Sequence, residues 1–313
     1  MKLTNVVLLV GAAVVVAGAY WVTTRPSANP KPLGHEQGAE KPVSAVEPPS
    51  VRSPAKPAPT PAQPVVSVPT PLQASYDTAT NLAALLDSTQ SQADAGNADA
   101  LRLAAAAGSE CFSSQAFANR AASFRRGAER FSEPERSVAL RHNDVQEQRC
   151  HDLIAQKALT PAMVRDALDR AAAAGDMVAS TIKLDEQWAD TPANELKEKL
   201  RSIVVSRDGE AIGLMATMLG PREEEPTVNG PFAGTQDDYI AWLLAACDLG
   251  RDCSASSRLL RELCLTTNRC PPGDYREYVR TNLATPQQFQ SALVKEKTLL
   301  GLIADGRFQE IFP

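Results

Sequence analysis

The sequence predicts an all-α protein, in which stacked helical hairpins follow an N-terminal apolar helix and a disordered proline-rich linker. Three observations carry this. Aromatic residues make up only 5% of the 313-residue chain, while alanine is abundant; alanine has the best helix propensity and a poor strand propensity. Alternating runs of Val, Ile, Thr and Tyr are absent after residue 70. The pairs Thr160-Pro161, Thr191-Pro192 and Thr285-Pro286 each read as an N-cap followed by proline at the first helical position. There the threonine hydroxyl accepts a free backbone N–H, and the missing proline N–H costs nothing.

The first element, residues 1–25, reads as a signal anchor or signal peptide. Lys2 precedes an uncharged run from Leu3 to Thr24, and Arg25 closes it. Its apolar side chains are Val6, Leu8, Leu9, Val10, Val14, Val15, Val16, Tyr20, Trp21 and Val22. A positive flank and an apolar centre are what export machinery requires. Ala17-Gly18-Ala19 would allow cleavage before Tyr20. The apolar run continues through Tyr20 and Trp21, however, which suit a membrane interface and favour an uncleaved anchor.

Residues 26–73 read as the linker. Thirteen prolines fall between Pro26 and Pro71; each fixes φ and removes a donor, so an extended spacer is expected, reaching at most about 140 Å. Residues 1–73 carry six Lys+Arg and three Asp+Glu, whereas residues 74–313 carry 26 and 34. The acidic balance of the second part repels phosphate backbones, so no nucleic-acid partner is expected.

Residues 74–219 read as a helical, repeat-like region. Ala95-Gly96-Asn97, Ala174-Gly175-Asp176 and Asp208-Gly209-Glu210 sit between Ala/Leu-rich segments; glycine supplies the left-handed conformation that ends a helix, and the polar residue starts the next. Ser132-Glu133-Pro134-Glu135 and Thr285 with Gln288 read as capping boxes. Phe117, Ala121, Phe124, Ala128 and Phe131 follow a 4-3-4-3 spacing that puts them on one helix face. Thr160 and Thr191 lie 31 residues apart, and Gly175 and Gly209 lie 34 apart, as two successive helix–turn–helix units would. Over roughly residues 95–220 the chain thereby resembles tetratricopeptide and Sel-like repeat proteins, although the tetratricopeptide Trp, Gly and Tyr signature is missing. That resemblance implies paired helices stacked in series, with an extended groove for peptides or helices.

Residues 220–234, with three prolines and the run Glu223-Glu224-Glu225, read as a loop. Residues 235–313 form a C-terminal helical subdomain. Within it Tyr239 to Leu249 is apolar nearly all round and reads as a central helix, while Phe289, Leu293, Leu300 and Ile303 line one face of the last long helix.

All six cysteines, Cys111, Cys150, Cys247, Cys253, Cys264 and Cys270, lie beyond the linker. Cys247 to Cys253 and Cys264 to Cys270 each span a helix end and the loop after it, where a reversing chain brings two Cα atoms within disulfide range. Pairing them leaves Cys111 for Cys150. A four-cysteine zinc site would need shorter knuckles, a redox pair would prefer C-x-x-C, and free thiols would fit a cytoplasmic setting.

No catalytic, cofactor or metal residues stand out. His142 and His151 lie nine residues apart and point to opposite faces of one helix. Seven arginines between Arg120 and Arg149, interleaved with acids, read as a salt-bridged surface; an anion contact would require them to share one exposed face. The functional expectation is a non-enzymatic extracytoplasmic protein, tethered to a membrane through residues 3–24 or secreted, that binds another protein. The expected location is the cell envelope, anchored in the inner membrane facing the periplasm, or secreted or periplasmic if cleaved after Ala19. A hydrolase using paired carboxylates and a structural spacer are the alternatives.

Overall fold

The computed structural model describes residues 70–116, 120–156, 159–221, 228 and 230–313. These residues form an all-α structure without strands. The chain runs through α1 (Pro71–Thr78), α2 (Leu82–Asp94), α3 (Ala98–Ala116), α4 (Arg120–Ala128), α5 (Glu135–Gln156), α6 (Pro161–Ala173) and α7 (Met177–Glu186). A 3-10 turn at Trp188–Asp190 leads to α8 (Ala193–Ser206), α9 (Gly209–Leu219), α10 (Gln236–Asp248), α11 (Arg258–Thr267) and α12 (Tyr275–Tyr278). After a π turn at Val279–Leu283 come α13 (Pro286–Ala304) and α14 (Phe308–Ile311).

Local chemistry sets these boundaries. Thr160 and Thr285 accept the N–H groups of Met163 and Gln288 at 3.2 Å, each just ahead of a first-turn proline. Thr70 does the same for α1, so that a helix begins inside the stretch read as linker. Thr191 behaves otherwise: its hydroxyl donates back to the Gln187 carbonyl at 2.8 Å, closing the 3-10 turn, and α8 starts without a side-chain cap. The box expected at Ser132 does not form either. Because α5 starts at Glu135, that glutamate sits at the first helical position rather than the third. Gly96 and Gly175 take φ values of 81° and 91°, and Asn97 and Asp176 open the next helices by accepting from Ala100 and Ala179. Between α8 and α9 it is Arg207, not Gly209, that turns left-handed, at φ 56°.

The largest core gathers α7 to α14. Helix α10 is buried from Ile240 to Ala246 and packs on α9 and α13. Its Trp242 ring lies parallel to Phe312 with centroids 6.2 Å apart, and its indole N–H donates to the Phe232 carbonyl at 2.8 Å. Phe289, Leu293, Leu300 and Ile303 of α13 all pack against this core. A second core holds Tyr76, Leu82, Leu103, Cys111, Cys150 and Leu153, and small residues on α2, α3, α6 and α7 pack closely in a third. Phe124 and Phe131 meet edge to face at 6.5 Å against Ala128, Val138 and the Cys264–Cys270 pair. Phe117 lies outside the described residues.

The expectation of a membrane anchor is corrected. Among the described residues no helix is long and apolar enough to cross a membrane. The buried apolar helices α9 and α10 have 11 and 13 residues, at most about 20 Å at ~1.5 Å per residue, against the ~30 Å of a bilayer core. The longer α3, α5 and α13 all carry charges in mid-helix. The expected anchor residues between Leu3 and Thr24, the proline-rich stretch up to Pro69 and the acidic run Glu223-Glu224-Glu225 lie outside the described residues. The membrane tether, the membrane as partner and the envelope location built on it are therefore not carried forward.

Candidate functional site: a buried polar lock

Three disulfides close the fold. Cys111 joins Cys150, Cys247 joins Cys253 and Cys264 joins Cys270, with Cα–Cα distances of 5.3, 5.7 and 4.6 Å. The first links α3 to α5, and the residues just before its two cysteines, Glu110 and Arg149, form the centre of the site.

Glu110 and Arg149 are 1% and 2% exposed in their side chains. Arg149 Nε donates to Glu110 Oε1 at 2.8 Å and Nη2 to Oε2 at 3.2 Å, a two-pronged pair. The Tyr76 hydroxyl of α1 donates to Oε2 at 2.7 Å, and Arg261 Nη2 of α11 to Oε1 at 3.1 Å. Gln146 completes the ring: its amide nitrogen donates to the Glu110 carbonyl at 3.1 Å and its oxygen accepts from Arg261 Nε at 3.1 Å. Arg149 also donates through Nη1 to the carbonyls of Tyr76 and Ala79, closing the C-terminal end of α1, where a cation is favoured.

The electrostatics follow from this geometry. Burial would raise the Glu110 carboxyl, but the hydrogen bond and charge of Arg149, the charge of Arg261 and the Tyr76 hydroxyl outweigh it and hold the group at about 2. It is therefore a fixed anion. Burial and the adjacent carboxylate push the Tyr76 phenol well above its ordinary value, so it stays a donor. Such a cluster has no proton to exchange near neutrality.

The cluster extends toward the larger core. Arg258 of α11 lies 5.8 Å from the Tyr76 ring centre and donates to Glu210 Oε1 of α9 at 2.9 Å; Arg251 Nε reaches Glu210 Oε2 at 3.0 Å. Burial works against the Glu210 anion, yet Arg251 and Arg258 hold its carboxyl below the usual range. Alongside, Arg102 of α3 pairs with the α7 cap Asp176 at 2.9 Å. Helices from both halves of the chain thus converge on one connected set of charges.

Other candidates disperse. His142 is buried and His151 exposed on α5. The arginines read as a surface do not share a face: Arg149 is in the interior, Arg125 is outside with Asp144 and Glu147, and Arg136 bonds the Phe131 carbonyl. Two carboxylates do converge, since Asp248 and Glu296 both accept from Arg276 Nη2, at 2.6 and 2.7 Å. Burial raises the Glu296 carboxyl despite Arg276. The guanidinium occupies the space between them, which makes this a tie among α10, α12 and α13. An open groove of about 260 Å³ runs between α6, α7 and α8, with Met177, Leu184 and Ile203 on its floor. The lysines on its rim, Lys183 and Lys199, are already paired with Asp169 and Glu195. Among the described residues no group of three or more His, Cys, Asp or Glu could hold a metal ion.

Sequence reasoning assigned Arg149 to a surface and passed over Glu110, Tyr76 and Arg261. The available signal was the polar side chains His142, Asn143, Gln146 and Arg149 at three- and four-residue spacing, a stripe that proves to be the buried face of α5. No family profile, curated protein or solved structure matches the chain.

Proposed function

We propose that the described part of this protein is a structural module: a clamped helical scaffold in which the Glu110 cluster locks helices together and performs no reaction. The observation that carries this is the consumption of Glu110. It accepts from α1, α5 and α11 while 1% exposed and held near a pKa of about 2, which suits a permanent counter-ion and not an acid or base. A connected polar network that is fully engaged rigidifies and specifies one packing. The construction itself reads as helical hairpins in series: α2–α3 and α6–α7 each turn through a left-handed glycine followed by an Asn or Asp cap, and α3 packs on α6. That supports kinship of design with helical-repeat proteins.

The test uses the sign of a stability change. A residue kept for chemistry is held at the expense of stability, so replacing it leaves the fold equally or more stable. A residue kept as a lock destabilises when replaced. Chemical denaturation of Glu110→Gln is expected to show a loss of roughly 3 kcal/mol or more. An unchanged or higher stability would overturn the structural reading.

A further inference from the structure

We propose that Cys247–Cys253 is a redox-sensitive clip, opened selectively by a dithiol reductant, and that its opening releases the turn that holds α11 in the polar lock.

The three bridges differ in access. Cys111, Cys150, Cys264 and Cys270 are 0 to 2% exposed. Cys247 and Cys253 are half-buried, at the edge of the largest core. Thiol–disulfide exchange needs a thiolate to approach along the S–S axis, so a buried bridge waits for local unfolding whereas a half-buried one does not.

What the accessible bridge closes is a junction. Gly250, at φ 104°, ends α10, and the Arg251 N–H returns to the Ala246 carbonyl at 3.0 Å. The Arg251 backbone nitrogen lies against Gly209 of α9, and its side chain, 7% exposed, lies against Gly213 and pairs with Glu210. The Cys253 carbonyl accepts from the Tyr275 N–H at 2.9 Å, tying the same turn to α12. Four residues beyond Cys253, Ser257 caps α11. That helix brings Arg258 to Glu210 and Arg261 to Glu110. The bridge thus fixes the segment that delivers two of the lock's arginines.

The chemistry is two-electron exchange. One thiolate of the reductant attacks a sulfur of the bridge; the S–S bond breaks and the other cysteine leaves as thiolate. The second thiol of the reductant then resolves the mixed disulfide. The protein gains two electrons and two protons, and the reductant becomes a disulfide.

The inference rests on the lock being structural, and the experiment separates the two. The full chain is treated with graded dithiothreitol, quenched with iodoacetamide and mapped by peptide mass spectrometry, with hydrogen–deuterium exchange measured on the same samples. Alkylation is expected at Cys247 and Cys253 at least about tenfold faster than at the other four. Backbone exchange is expected to accelerate over residues 249–270 while α10 stays protected. A Cys247→Ser/Cys253→Ser variant should reproduce that exchange pattern without reductant. Simultaneous labelling of all six cysteines, or earlier labelling of a buried pair, would overturn the proposal. So would selective opening with no change in α11, which would leave the lock itself standing.

Discussion

Glu110 and Arg149 meet as a two-pronged ion pair in the interior, one residue ahead of the two cysteines that join the same helices. A covalent and an ionic cross-link therefore lie side by side between α3 and α5. The bridge limits the unfolded chain, whereas the ion pair requires full desolvation to be matched in the folded one.

The bridges should differ in worth by the length of chain they close. Cys111–Cys150 has a sequence separation of 39, and Cys264–Cys270 of 6. Loop-closure entropy gives roughly 4 kcal/mol for the first and roughly 2 for the second. Urea unfolding of Cys111→Ala/Cys150→Ala and of Cys264→Ala/Cys270→Ala should show that order; the reverse order would mean that chain entropy does not govern these bridges.

Acid should destabilise the fold in two stages. Burial, with Arg261 and Arg141 nearby, lowers His142 from 6.5 to about 4. Its folded pKa lies below its unfolded one, so as pH falls from 6.5 the unfolded chain takes up the proton first. Stability is lost down to about pH 4, by on the order of 3 kcal/mol. Glu110, lowered from 4.5 to about 2, contributes stability that is complete above 4.5 and disappears as pH falls toward 2. Denaturation midpoints measured across this range should decline in both windows. In His142→Leu the upper decline should vanish and the lower one remain.

Two glycines of α9 should respond unequally to alanine. A Cβ on Gly209 would sit 2.6 Å from the Arg251 nitrogen, 2.7 Å from the Ala246 oxygen and 2.9 Å from the Leu249 oxygen, all backbone atoms that cannot swing aside. At Gly213 it would meet the Arg251 guanidinium, which can move by giving up Glu210. Gly209→Ala is expected to lose about 2–3 kcal/mol and Gly213→Ala roughly 1. Equal losses in thermal or urea unfolding would show that the turn is not keyed into α9 as described.

Much of the helical framework is legible in the sequence because its causes are local. Thr160 and Thr285 with their prolines, the left-handed Gly96 and Gly175, and the uninterrupted apolar stretch of α10 act within a few residues. Thr191 shows the limit of that reasoning: the same Thr-Pro pair finds a closer acceptor in the Gln187 carbonyl and caps nothing. The lock is illegible for a different reason. Glu110 lies 39 residues from Arg149 and 151 from Arg261, and in sequence each is an ordinary charge on an amphipathic helix. Only the tertiary fold removes them from water together. The face of α5 that a hydrophobic pattern would place outside is for that reason inside.

The most direct test of the lock is a double-mutant cycle on Glu110→Gln and Arg149→Met by urea denaturation. Each single change is expected to cost roughly 3–5 kcal/mol, and the double far less than their sum, with a coupling of about 2 kcal/mol or more. Additive losses, with coupling below about 0.5 kcal/mol, would contradict a structural role for the pair.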